Sequence, residues 1–428
     1  MKDKNINSYT IFWLSGALSQ LGSSMTGYAL IIWAYKQTNS AVSVSLMSFF
    51  SYLPYVTVSI FAGAFIDNHK KKSIMVISDF IAAICSLVVL VLAVLNRLEI
   101  WHIYLVNSVI GTMNSIESPA QAIAVGMIVP KEKYVKVSGM NSFSDSLLTV
   151  FTPVFAAFIY SFLGLIGIIF IDLLTFLIAF VTLMLLIPLP EELGKSKDKH
   201  SNIILDCKEG LLFLINHKGI WYIIISMAFL NFFSRLTYEN ILTPMILARS
   251  GGDEKVLGFV NGILGTGGII GGLIITFKKF HWDNIKLIYY SAALSFLFGD
   301  LLMGLGQNVF VWCIAAFAAS VPISFISAGQ SLIMYHTIPK EIQGRVFAAK
   351  NAIQYCTIPI GILLGGYLAD YVFEPFMHSD HKLVLLLHKL VGYGQGSGMA
   401  VMFLITGVSG FITSILMYRN REIRKIFI

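Results

Sequence analysis

The chain has 428 residues, of which 56% are hydrophobic and only 12% charged, with a mean hydropathy of +0.77. That balance excludes a water-soluble globular protein and defines an integral membrane protein. The formal charge of +7 is scattered through short loops with no basic face or stripe, which argues against nucleic acid as a partner.

Apolar stretches long enough to cross a hydrocarbon core recur along the chain, and the predicted spans are 9–35, 41–66, 73–95, 101–128, 138–160, 163–187, 219–247, 255–277, 285–305, 309–336, 345–371 and 399–418. Isolated stretches of this length satisfy their backbone in lipid only as helices, so the expected fold is all-α. The opening MKDKNINSYT leads into an apolar run too long for a signal-peptide core and is read as the start of the first span. After the second span comes GAFIDNHKKK, Gly63 to Lys72, in which a glycine turn and Asp67 precede Lys70, Lys71 and Lys72. A lysine cluster beside a span is normally cytoplasmic, and with this loop inside, most basic residues fall on the same side and both termini are cytoplasmic.

The connection 188–218 is polar in its first part, PLPEELGKSKDKHSN, and amphipathic in its second, so it reads as a linker between halves 1–187 and 219–428. An internal repeat supports the division: Ser118-Pro-Ala-Gln121 followed by Pro130-Lys-Glu132 is echoed in register by Ser327-Ala-Gly-Gln330 followed by Pro339-Lys-Glu341. The same register carries Gly63 onto Gly272 and Lys70 onto Lys279. The glycine-rich run GILGTGGIIGG, Gly262 to Gly272, lies inside an apolar span, where small residues allow close helix approach. No phosphate loop of the G-x-x-x-x-G-K-[ST] kind occurs, so ATP hydrolysis is not expected. Cys85, Cys207, Cys313 and Cys356 have no metal-like spacing, and no disulfide, metal site or cofactor is expected. The stretch 374–398 before the last span, with His378, His381 and His388 around LVLLL, is expected to form an interfacial helix.

The twelve spans, the central linker, the Gly63 to Lys72 loop and the stretch Pro339-Lys-Glu-Ile-Gln-Gly344-Arg345-Val346 resemble the major facilitator superfamily. With TNSA at Thr38 to Ala41, that last stretch is similar to the branch containing Gram-positive macrolide efflux proteins and bacterial siderophore exporters. The resemblance implies two six-helix halves of parallel topology, working by alternating access, with the first, fourth, seventh and tenth spans lining a cavity. It also implies that Gly63, Asp67, Lys71 and Lys72 meet Gly344 and Arg345 in a cytoplasmic gate. The chain departs from it in two places: Asn107 and Ser108 stand where drug–proton antiporters commonly carry an arginine, and Ser23 follows Gly22 where many relatives have an acid.

Ionisable groups inside spans are expensive and mark pathways or interhelical pairs. Glu117 shares a helix face with Gln121 and reads either as a carboxylate that binds a proton or a cationic substrate, or as a satisfied interhelical hydrogen bond. Arg235 and Glu239, four residues apart, read either as a self-neutralising pair or as a charge presented to substrate. Asp145 faces either the cavity edge or a partner helix, while Asp79, Asp172 and Asp300 read as structural. Gln20, Asn231 and Gln330 add neutral polar groups, and abundant Phe, Tyr and Met suit a bulky amphiphile. The expected protein is a monomeric bacterial cell-membrane exporter of a hydrophobic small molecule, with protons and the lipid bilayer as its other partners and no enzymatic activity. The alternatives are a transporter of a specific metabolite or siderophore, and a non-transporting receptor or assembly factor on the same scaffold.

Overall fold

The computed structural model describes residues 6–129, 134–187, 211–277, 283–338, 346, 349–350, 353–354 and 356–425. They form helices α1 (Ile6–Thr38), α2 (Ala41–Asn68), α3 (Lys71–Val94), α4 (Ile100–Ile128) and α5 (Tyr134–Leu185), then α6 (Lys218–Thr237), α7 (Leu242–Arg249), α8 (Glu254–Phe277) and α9 (Asn284–Ser295). A π-helical turn, Phe296–Asp300, joins α9 to α10 (Leu301–Leu305), and α11 (Val309–Thr337) follows. The chain closes with α12 (Thr357–Leu368), a second π turn (Ala369–Phe373), α13 (Glu374–Met377), α14 (Lys382–Val391), α15 (Ser397–Tyr418) and α16 (Arg421–Arg424). Among the described residues there is no strand, and eight stretches have the length and apolarity of membrane spans. One of these, 36 residues long, contains Gly164, whose φ of 64° folds α5 into the fifth and sixth predicted spans. Large apolar side chains stand outward, among them Leu185 at 76% exposure and Phe310 at 74%, as lipid solvation requires. The all-α membrane fold expected from the hydropathy pattern is therefore the one observed.

The described chain falls into two compact units, residues 1–39 with 46–198, and residues 40–45 with 199–428. In the first, α1 packs on α5, and α3 on α4 and α5. In the second, α8 and α9 pack on α11, and α6 on α12 and α15. The glycine run of α8 works as the sequence suggests. A Cβ on Gly271 would meet the Val321 carbonyl oxygen of α11 at 2.3 Å, while one on Gly268 would meet nothing within 4 Å.

Two expectations are corrected. The Gly63 turn is absent: α2 stays helical through Gly63 and Asp67 to Asn68, because lipid leaves the backbone no alternative to its own hydrogen bonds. The seventh predicted span breaks at 238–241 between α6 and α7. Pro244, in the first turn of α7, fits the break, since it has no N–H to donate to the carbonyl of Asn240 as an uninterrupted helix would require.

Gly268→Ala should leave the thermal unfolding midpoint of the purified protein unchanged or raise it, since alanine is the better helix former. Gly271→Ala should lower it, because the Val321 carbonyl has to move. Equal midpoints for the two variants would remove the close α8–α11 approach from the packing.

Candidate functional site

On α4, Asn114, Glu117, Ser118 and Gln121 recur at helical spacing along one face. Asn114, Ser118 and Gln121 are exposed, and Glu117 is partly buried. Asp79 on α3 lies within electrostatic reach of Glu117, so the first unit carries two neighbouring carboxylates. Neither forms an ion pair among the described residues. Gln20 is exposed on α1, one turn before Ser23. Ser23 donates to Asp172 Oδ1 at 2.8 Å and Ser86 to its Oδ2 at 3.2 Å, which satisfies a carboxylate that is 3% exposed. The structural reading of Asp172 fits this geometry, and the departure at Ser23 is a hydrogen-bond donor to it.

In the second unit, Asn231, Ser234, Arg235 and Glu239 run along one side of α6 and the turn after it, with Asn231 and Glu239 exposed. Arg235 Nη1 contacts Glu239 Oε1, forming the i to i+4 pair the spacing predicts. Asn240 Nδ2 donates to the Arg235 carbonyl at 2.9 Å and ties the break to the end of α6. On α11, Ser327 and Ser331 are exposed beside Gln330, whose Nε2 is buried without a hydrogen-bond partner.

The surroundings of Gly63, the side chains of Asp67 and Asp145, and the whole of Gly344 and Arg345 lie outside the described residues. Lys71 is buried at 9% exposure. Lys72 Nζ donates to the carbonyls of Met184 at 3.0 Å and Ile187 at 2.9 Å. That places a cation on the carbonyl end of α5, a capping role within the first unit.

Sequence reasoning missed two carboxylates that close helix ends. Within the second unit, Asp370 accepts from the Ser40 hydroxyl and from the backbone N–H groups of Ala41 and Val42, both at 3.0 Å. It therefore caps the start of α2 and explains TNSA. Asn39, at a φ of 49°, ends α1 in the left-handed conformation that asparagine tolerates, and Ser40 with Ala41 presents the donors. Glu374 accepts from Gly396 N–H at 3.3 Å and Met399 N–H at 3.0 Å and caps α15. Burial pushes its carboxyl up from the ordinary value, and the amide donors pull it back. Arg249 donates to the carbonyl of Gly306 at 3.0 Å and to that of Val391, so three connections meet at one guanidinium. The stretch 374–398 is thus an ordered assembly that includes α14, the helix expected around LVLLL.

Hollows lie at two places away from the candidate residues. One of about 370 Å³ in the first unit is lined by Trp33, Gln37, Asn96 and Tyr160, and one of about 350 Å³ in the second by His378, Asp380, His388 and Ser397.

Spans of this number carrying rows of polar side chains are the build of a membrane transporter. The chain belongs to the Major Facilitator Superfamily, whose family model matches residues 12–299. It is 28% identical to Macrolide efflux protein A of Streptococcus pyogenes over 368 residues, covering 85% of this chain and 89% of that one. Macrolide efflux protein A of Enterococcus faecalis is 28% identical over 320 residues, 74% of this chain and 98% of the relative. The crystal structure of a bacterial homologue of the iron transporter ferroportin in an inward-facing state aligns with a TM-score of 0.70 at 14% identity. That alignment covers 98% of this chain and all of that one, and supports the fold. Family and fold are those of transporters rather than enzymes.

Replacing Asp370 by alanine leaves the Ala41 and Val42 N–H groups and the Ser40 hydroxyl without their acceptor. It should cost about 2 kcal/mol, read as a lower unfolding midpoint, with Asp370→Asn in between. An unchanged midpoint in Asp370→Ala would show that the cap contributes nothing.

Proposed function

We propose that the chain is a secondary active exporter of hydrophobic or amphiphilic small molecules of macrolide-like, drug-like character, driven by a proton gradient. The observation that carries this reading is the set of polar rows on α4, α6 and α11, with Gln20 exposed on α1. Lipid penalises such rows heavily, and a water-filled cavity between spans removes the penalty. The identity with macrolide efflux proteins over most of the chain supports the substrate class. Halves 1–187 and 219–428, joined by the linker 188–218, alternate in access, and both termini are cytoplasmic.

In this reading Gln20, Gln121, Asn231 and Gln330 line the cavity. Glu117, with Asp79 beside it, is the carboxylate that a proton and a cationic substrate occupy in turn. Two neighbouring carboxylates in a low dielectric repel, and either cation relieves that repulsion. Arg235 and Glu239 neutralise each other while leaving Glu239 open to the cavity, and Asp145 sits at its edge. Gly63, Asp67 and Lys71 gate the cytoplasmic side with Gly344 and Arg345, while Lys72 holds the end of α5 beside them, and the protein works as a monomer.

Cells carrying the protein should accumulate less labelled macrolide than cells without it, and an uncoupler should abolish the difference. Equal accumulation with and without the protein, for macrolides and cationic dyes alike, would overturn the export reading. In the same assay Glu117→Gln should lose uphill efflux while still exchanging substrate down its own gradient, because the amide cannot take up or release a proton. Full uphill efflux in that variant would transfer the coupling role to Asp145 or Glu239.

A further inference from the structure

Asp300 is 3% exposed on the π turn between α9 and α10, and among the described residues it has no ion pair. A buried carboxylate without a counter-charge is among the costliest arrangements a protein can hold. Its neighbours make the cost specific. Thr406 of α15 donates its hydroxyl to Asp300 Oδ1 at 3.1 Å, and Thr237 at the end of α6 donates to the same atom at 3.3 Å. Each hydroxyl carries one proton, and each has other acceptors within reach. These are the Met402 and Phe403 carbonyls for Thr406, at 3.1 and 3.2 Å, and the Phe233 carbonyl for Thr237, at 3.3 Å. Helical threonines commonly bond such preceding carbonyls, and when they do, their lone pairs turn towards the carboxylate. Tyr238 adds a third oxygen. Its hydroxyl is buried without a hydrogen-bond partner, it lies within electrostatic reach of Asp300, and its ring packs edge-on against Phe403 at 5.3 Å.

We propose that Asp300, Thr237 and Thr406, with the Tyr238 hydroxyl beside them, form a sodium site within the second unit. The donors are all hard oxygens, which suits an alkali or alkaline-earth ion rather than a transition metal. A single carboxylate balances a single positive charge, which selects a monovalent ion. A proton on Asp300 would supply one donor and so satisfy one of the surrounding oxygens, whereas a central cation serves all of them. The backbone fits as well: the site sits where α6 gives way to the turn at 238–241 and where α9 passes into a π turn, and irregular backbone at membrane depth is tolerated where it surrounds a polar site.

The test uses the full-length protein, purified, with no transport step, so its outcome is separate from that of the export reading. Thermal unfolding is followed at constant ionic strength and pH 7.5 while choline chloride is replaced by sodium chloride, with potassium chloride in parallel. The expected result is a saturable rise in the midpoint with sodium that potassium does not match. Asp300→Asn should abolish the rise, and Thr406→Val should raise the half-saturating sodium concentration at least roughly tenfold. If Asp300→Asn does not fold, Thr406→Val and Thr237→Val carry the test. A wild-type midpoint that is the same in sodium and choline, or a sodium response unchanged in the threonine variants, would overturn the site.

Discussion

A bilayer offers a backbone no water, and that one constraint sets the form of everything described above. It makes the spans helical, and it moves the problem to their ends, where amide and carbonyl groups lose their partners within the helix. This protein closes those ends with charged side chains sent from other helices. Asp370 serves the start of α2, Glu374 the start of α15, and Lys72 the finish of α5. Each places a charge of the sign that the helix end attracts. Anchoring and capping are then the same interaction, and a helix cannot shift along its axis without giving up its cap.

The two repeats share the amide pair Gln121 and Gln330 and differ in their acids. In the register that pairs Gln121 with Gln330, Glu117 falls on Ile326, so the carboxylate pair of α3 and α4 belongs to the first repeat alone. The second repeat has Arg235 and Glu239 instead, already neutralised along α6, and keeps its uncompensated acid, Asp300, buried against α15. In the matched register the glutamines coincide, and the charged chemistry stands on one side or the other.

Much of the fold was legible because the signals are local. Apolar length located eight stretches of membrane-span length and apolarity among the described residues, the spacing of Arg235 and Glu239 allowed the contact they make, and the glycines of α8 pointed to a close helix approach that Gly271 makes. The caps were not legible, because Asp370 and Ser40 are separated by 330 residues and nothing in either segment names the other. TNSA could be recognised as a family mark, but its physical meaning depends on Asp370. The break after α6 was readable in principle from Pro244, and the apolar run on both sides concealed it. Asp300 was read as structural for a similar reason, since a lone acid in a span says nothing about the hydroxyls that Thr237 and Thr406 bring to it from elsewhere.

The π turn at Phe296–Asp300 carries a consequence for ancestry. A π turn holds one more residue than the α-helix it interrupts, and such a gain normally shows as an insertion between related segments. Here the register that joins Gly63 to Gly272 also joins Gln121 to Gln330, so the chain between those points kept its length, and Asp300 falls on Val91 of the uninterrupted α3. The connection that follows, 306–308, is two residues shorter than its counterpart at 95–99, which is room enough for the extra residue. A duplicated helix can in this way turn a new residue toward its neighbours by trading loop for helix, leaving no gap by which aligned descendants would reveal the change.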